Sequence, residues 1–132
     1  MIDYSNEIFN AVAKGLRLLY PGIQVKGEYV DLPAVFPCVT IDEISNVPSH
    51  LDSAAKNKYA RVTYRVQIFS NDESRKRSQA RDLFKDVDDI LMGLGLFGKS
   101  YTTTPVIYNS EIYSITGTYE GIIGADGVIY RS

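Results

Sequence analysis

Apolar residues follow a helical period at the start of the chain and switch to strand-like alternation further on. Ile8, Val12, Gly15, Leu16 and Leu19 form one apolar stripe, and this spacing predicts a helix from about Tyr4 to Tyr20. Asp3 or Ser5 is placed to cap its start, and Pro21-Gly22 stops it. Ile23-Gln24-Val25 reads as a short extended piece. Glu28 to Pro37, interrupted by Pro33, reads as a connection. Cys38 to Ile44 reads as a strand, with Val39 and Ile41 on one face and Thr40 and Asp42 on the other. The clearest strand is Ala60 to Phe69. Val62, Tyr64, Val66 and Ile68 face a core, while Arg61, Thr63, Arg65 and Gln67 face away. That alternation belongs to a sheet covered by helices on one side only.

Between these strands lies the longest polar segment, Ser45 to Lys58, with Pro48, His50 and Lys56-Asn57-Lys58. It reads as a mobile loop of about 14 residues, a length usually reserved for function or disorder. After the central strand, Ser70-Asn71-Asp72-Glu73 opens a second helix. Asn71 is its expected cap, and the acids suit the positive end of the dipole. Ala80, Phe84, Val87, Leu91 and Leu94 give its apolar stripe, widened by Leu83 and Ile90, and Gly93-Leu94-Gly95 ends it. Its other face carries Arg81, Lys85, Asp86 and Asp89, read as solvated charge. Tyr101 to Tyr108 and Ile112 to Ile123 form a hairpin through Asn109-Ser110-Glu111. Asp126-Gly127 then turns a short Val128-Ile129-Tyr130 strand back. The expectation is a single α+β domain over residues 1–132. Two helices pack on one face of a largely antiparallel, roughly four- to five-stranded sheet, with a long polar loop and a C-terminal β-hairpin.

Composition narrows this picture without changing it. At 132 residues, with 45% hydrophobic and 23% charged residues, the chain is long enough to bury a core without metals or disulfides. The net charge of −2 gives no global basic field for nucleic acid. One cysteine, Cys38, precludes an internal disulfide and reads as a buried, inert thiol suited to a reducing cytosol. The N-terminus lacks the order of a signal peptide, and no apolar run reaches membrane-spanning length, so no membrane partner is expected. Ten tyrosines and no tryptophan fit half-buried sheet faces and subunit interfaces, although strand propensity alone also accounts for them.

Candidate chemistry is sparse. With His50 as the sole histidine, metal sites built on several histidines are excluded, and no cofactor is implied. No G-x-S-x-G elbow supports a Ser-His-Asp set. A Cys-His pair would require Cys38 in a core strand to meet His50 in a loop. Gly93-Leu94-Gly95-Leu96-Phe97-Gly98 matches dinucleotide spacing but falls at the end of a helix, where carbonyls and not amides point outward. It reads as a helix stop. Arg75-Lys76-Arg77, with Arg81 one turn on, is the one local charge concentration. It reads either as a phosphate-facing patch or as a solvated helix face paired with Asp72, Glu73 and Asp82. A non-enzymatic assembly subunit is expected.

The order of elements resembles the tail terminator and tail completion proteins of long-tailed bacteriophages and prophages. The likeness runs over almost the whole chain. It covers the first helix closed by Tyr20-Pro21-Gly22, the strand Phe36-Pro37-Cys38-Val39-Thr40-Ile41, and the polar loop after it. It continues through Val62-Thr63-Tyr64-Arg65-Val66-Gln67-Ile68-Phe69-Ser70 into the long helix and the final hairpin. The resemblance implies a ring, commonly hexameric, that caps the tail tube and joins it to the head connector. Its partners would be its own copies, the tail tube protein and the connector, with transient contact to passing DNA. It would be made in the host cytoplasm and end in the virion neck or tail. Val47, His50, Leu51, Lys56 and Lys58 become candidate contacts with the tube or a neighbouring subunit. Arg61, Arg65, Arg75, Lys76 and Arg77 become candidate lumen or interface charges. Another head-tail joining or minor capsid protein would make much the same demands on sequence. A small cytosolic binding or enzymatic domain using the loop around His50 is the alternative of a different class.

Overall fold

The computed structural model describes residues 3–29, 33, 35–50, 58–103, 111–124, 127 and 129–130. The elements run α1 (Ser5–Leu19), β1 (Gln24–Lys26), β2 (Cys38–His50), β3 (Lys58–Ser70), α2 (Lys76–Leu94), β4 (Phe97–Thr103), β5 (Tyr113–Gly124) and β6 (Ile129–Tyr130). Strands β1-β2-β3-β5-β4 lie side by side in that order, and the two-residue β6 pairs with β5. Only β1 and β2 are parallel; every other pair is antiparallel. The α+β class and the largely antiparallel sheet agree with the pattern. The short β6 brings the strand count to six.

Both helices share one core. Ile8, Val12 and Leu16 of α1 and Leu83, Val87 and Leu91 of α2 join Val39, Val62, Tyr64, Val66, Ile68 and Tyr119 in a single buried cluster. The β2 and β3 residues among them are those that alternation assigns to the helix face. One stripe residue departs: Leu19, the last residue of α1, is 59% exposed. Asp3 supplies the expected N-terminal acceptor, taking the Ser5 amide at 3.1 Å and its hydroxyl at 2.7 Å. Ser5 is therefore a donor within the first turn and not the cap.

The second helix begins later than its cap signal predicts. Asp72, not Asn71, organises the entry: its Oδ1 accepts the amides of Ser74 and Arg75 at 3.1 and 3.0 Å. Regular helix starts at Lys76, so Arg75 lies just ahead of it. At the other end Gly95 adopts φ 106°, and the Leu96 amide returns to the Leu91 carbonyl at 3.1 Å. The Gly93–Gly98 spacing is thus a helix stop, leading directly into β4.

The larger correction concerns the polar segment. Ser45–His50 continues β2, and Lys58 opens β3, with His50 opposite Lys58 as the last rung between the two strands. These residues are hairpin arms and not loop. Residues 51–57 lie outside the described residues, as do 104–110, so the expected strand to Tyr108 is described only to Thr103. That strand begins at Phe97, four residues earlier than expected from Tyr101.

Packing of α2 onto the sheet depends on glycine in β5. A Cβ on Gly117 would lie 2.6 Å from Phe84 Cζ and 3.3 Å from Tyr101 Cδ1. Phe84 and Tyr101 stack edge-on there, with ring centroids 5.2 Å apart.

Candidate assembly surfaces

The face of the sheet away from the helices is polar but tightly paired. Arg65 grips Asp42 across β2 and β3, with Nη2 2.7 Å from Oδ2 and Nε 3.3 Å from Oδ1. Its guanidinium also lies 4.4 Å from the centroid of the Tyr29 ring. Glu120 of β5, only 7% exposed, receives Lys99 at 2.9 Å and Arg61 at 2.6 Å. Hydrogen bonds from Lys99 and Arg61 hold its carboxyl below the usual range. Thr40 donates to Gln67 at 2.7 Å, and both are buried. Towards one end this face ceases to be solvated, because Cys38, Phe69 and Ile112 form a second small apolar cluster with Phe36 against it. Burial pushes the Cys38 thiol up, in keeping with an inert cysteine.

Arg61 and Arg65 face away from the helices as expected, but each is engaged by a carboxylate of its own chain. Arg75 and Arg77 are exposed and Lys76 is half-exposed, around the start of α2. Arg77 and Arg81 lie beside Tyr113, whose hydroxyl they and Thr103 draw below its ordinary ionisation range, Thr103 having the largest effect. Val47 sits opposite Arg61 and is 53% exposed. Its outward position follows from a bulge: Glu43 faces Tyr64, but Ser45 faces Thr63, leaving Ile44 as an extra residue. His50 and Lys58 are placed by backbone pairing alone, and Leu51 and Lys56 lie outside the described residues. Cys38 and His50 occupy opposite ends of β2, about 40 Å apart at the usual strand rise, so they form no catalytic pair.

Residues that pattern reading passed over prove to be structural. Asp86 reads in the sequence as solvated helix charge, and Asp88 carries no signal of its own. Instead Asp86 accepts the hydroxyl of Tyr20 from the end of α1. That hydrogen bond, more than burial, pushes the Tyr20 phenol up to about 12. Asp88 accepts from Tyr119 at 2.7 Å and from Tyr101 at 3.2 Å. Burial first, and then the Asp88 bond, push Tyr119 strongly upward. The signal was present as many tyrosines and several acids, but their pairing spans distant parts of the chain.

Two surfaces remain as contact candidates. Strand β4 is an edge of the sheet. Between it and α2 runs a groove of about 330 Å³, floored by Phe84 and Ile115, with Arg81 and Lys85 on one side and Tyr101 and Thr103 on the other. Tyr101 is itself 55% exposed. The second surface is the far end of the β2–β3 hairpin, with Val47. Among the described residues no group of three or more His, Cys, Asp or Glu side chains could hold a metal ion. Among the described residues no helix is long and apolar enough to cross a membrane.

No protein-family model matches the chain, and no curated protein matches it in sequence. Solved structures do. One matching chain comes from a structure described as "Virion of native gene transfer agent (GTA) particle", with TM-score 0.62, over 88% of this chain and 88% of that one, at 12% identity. The fold is shared. At that identity the likeness speaks for the architecture, helices and sheet together, over nearly the full length of both chains.

Proposed function

We propose that this protein is a structural subunit of a phage-like virion, acting as a tail-terminator-like ring that caps the tail tube and joins it to the head connector. The observation that carries the reading is the likeness to a chain of a gene transfer agent virion over 88% of both chains. It agrees with the independent resemblance of the element order to tail terminators. The paired acids and the separated Cys38 and His50 give no catalytic constellation among the described residues. In this reading copies associate through sheet edges into a ring, taken as hexameric, around a passage for the genome. The protein is made in the host cytoplasm and finishes in the neck or tail.

The test combines the purified protein with a tail tube protein from the same genome. A terminator caps tubes at one end and arrests their growth, visible by electron microscopy as rings on tube ends and shortened tubes. Binding to the connector or capsid without any effect on tubes would assign it instead to another head-tail joining role. Absence of binding to any virion component would overturn the reading.

A further inference from the structure

A local group of cations lies at one edge of the sheet and a local group of acids at the other. On one side lies β2, which β1 flanks along Cys38–Thr40; among the described residues the rest of β2 is an edge strand, with α1 packed near it. Glu43 of β2 accepts the buried Tyr64 hydroxyl at 3.0 Å. Asp3 and Glu7 are exposed at the start of α1, which packs against β2, so they and Glu43 lie on the same side of the molecule. On the other side lies β4, bordered by α2. Arg77, Arg81 and Lys85 recur there at four-residue spacing and so share one helix face. Arg81 and Lys85 border the groove beside the strand. Asp88, the acid in that groove, is engaged by two tyrosine hydroxyls. None of these three cations or three acids takes part in an ion pair among the described residues.

We infer that the basic β4–α2 edge of one copy docks against the acidic β2–α1 edge of the next, Arg77, Arg81 and Lys85 facing Asp3, Glu7 and Glu43. The two surfaces differ, so the contact is head-to-tail, and repeated rotation closes it into a ring. The occupant is a second copy because the chain itself supplies the complementary charge, at the opposite edge of the same sheet. Strand edges on both sides permit backbone pairing, while the charges set partner and direction. This inference rests on the ring reading above and names its interface.

Charge exchange tests it. Arg81→Glu with Lys85→Glu, and separately Asp3→Lys with Glu7→Lys, should each weaken self-association at least about ten-fold in light scattering. An equal mixture of the two variants should restore it, since each then meets an oppositely charged edge. Glu7→Lys alone keeps the Asp3 cap and serves if the double variant melts early. Wild-type association should also weaken as salt rises from about 50 mM to 500 mM. If wild type forms rings but the variants assemble equally well, or the mixture fails to rescue them, the interface is elsewhere and the ring reading survives. If wild type forms no oligomer, free or on tubes, both fall.

Discussion

Tyr119 donates its hydroxyl to Asp88 at 2.7 Å, and this bond fastens the middle of β5 to α2. Tyr101 reaches the same carboxylate oxygen from β4 at 3.2 Å, so one acid secures two strands. Asp88→Ala leaves the buried Tyr119 hydroxyl without its acceptor and should cost about 2–3 kcal/mol in urea denaturation. Asp88→Asn retains an oxygen acceptor and should cost less than half as much. Equal losses in the two variants would mean that Asp88 contributes through its charge and not through the hydroxyl bond.

The Tyr20–Asp86 bond joins the end of α1 to α2, and it shapes stability at high pH. The folded phenol ionises at about 12, whereas the unfolded one ionises near 10. Between those values the unfolded chain loses a proton that the folded chain keeps, so stability falls as pH rises. Tyr20→Phe removes this contribution. Its unfolding free energy should therefore decline less than that of wild type between about pH 10 and 12.

Glu120 gives the opposite slope at low pH. Lys99 and Arg61 lower its folded pKa, so it adds stability above its unfolded value that is lost as pH falls through the folded one. Both cations are about half exposed, which limits the net effect to about 1 kcal/mol or less. Glu120→Gln should be slightly less stable than wild type near neutral pH and should converge with it in acid. A constant gap at every pH would show that packing, not ionisation, is lost.

Two glycines should respond with opposite signs to alanine. Gly117→Ala drives a methyl into Phe84 beneath α2 and should cost about 1–3 kcal/mol. Gly93 lies inside α2 with nothing within 4 Å of its Cβ position, so Gly93→Ala should stabilise by about 0.5–1 kcal/mol. Thermal melts of the two variants decide both.

The bulge in β2 makes one deletion harmless and a nearby one severe. Removing Ile44, the extra residue, lets Glu43 and Ser45 follow one another opposite Tyr64 and Thr63, so every later pair is kept. Removing Ile41 instead shifts the strand and turns its buried side chains outward. The first variant should fold, with a cysteine at position 47 still open to thiol reagents. The second should lose most of its stability.

Local pattern by itself determined a good deal. The two helical stripes and the alternation of β3 specify which faces are buried, because periods of 3.6 and 2 need only neighbours along the chain. Pro21-Gly22 and Gly95 end their helices for equally local reasons, and the wrong end of a helix disqualified the Gly93–Gly98 run before any fold was known. The α+β class follows from these. Tertiary structure decided what depends on residues far apart. Alternation continued from Val39 and Ile41 would bury Val47, and only pairing with β3 reveals the bulge that turns it outward. Asp86 reads as surface charge in the sequence, and only the fold brings Tyr20 to it and Tyr101 and Tyr119 to Asp88. Arg61 and Arg65 looked like open contacts until cross-strand register set Glu120 and Asp42 beside them. Charge in a sequence has no address until the sheet assigns one.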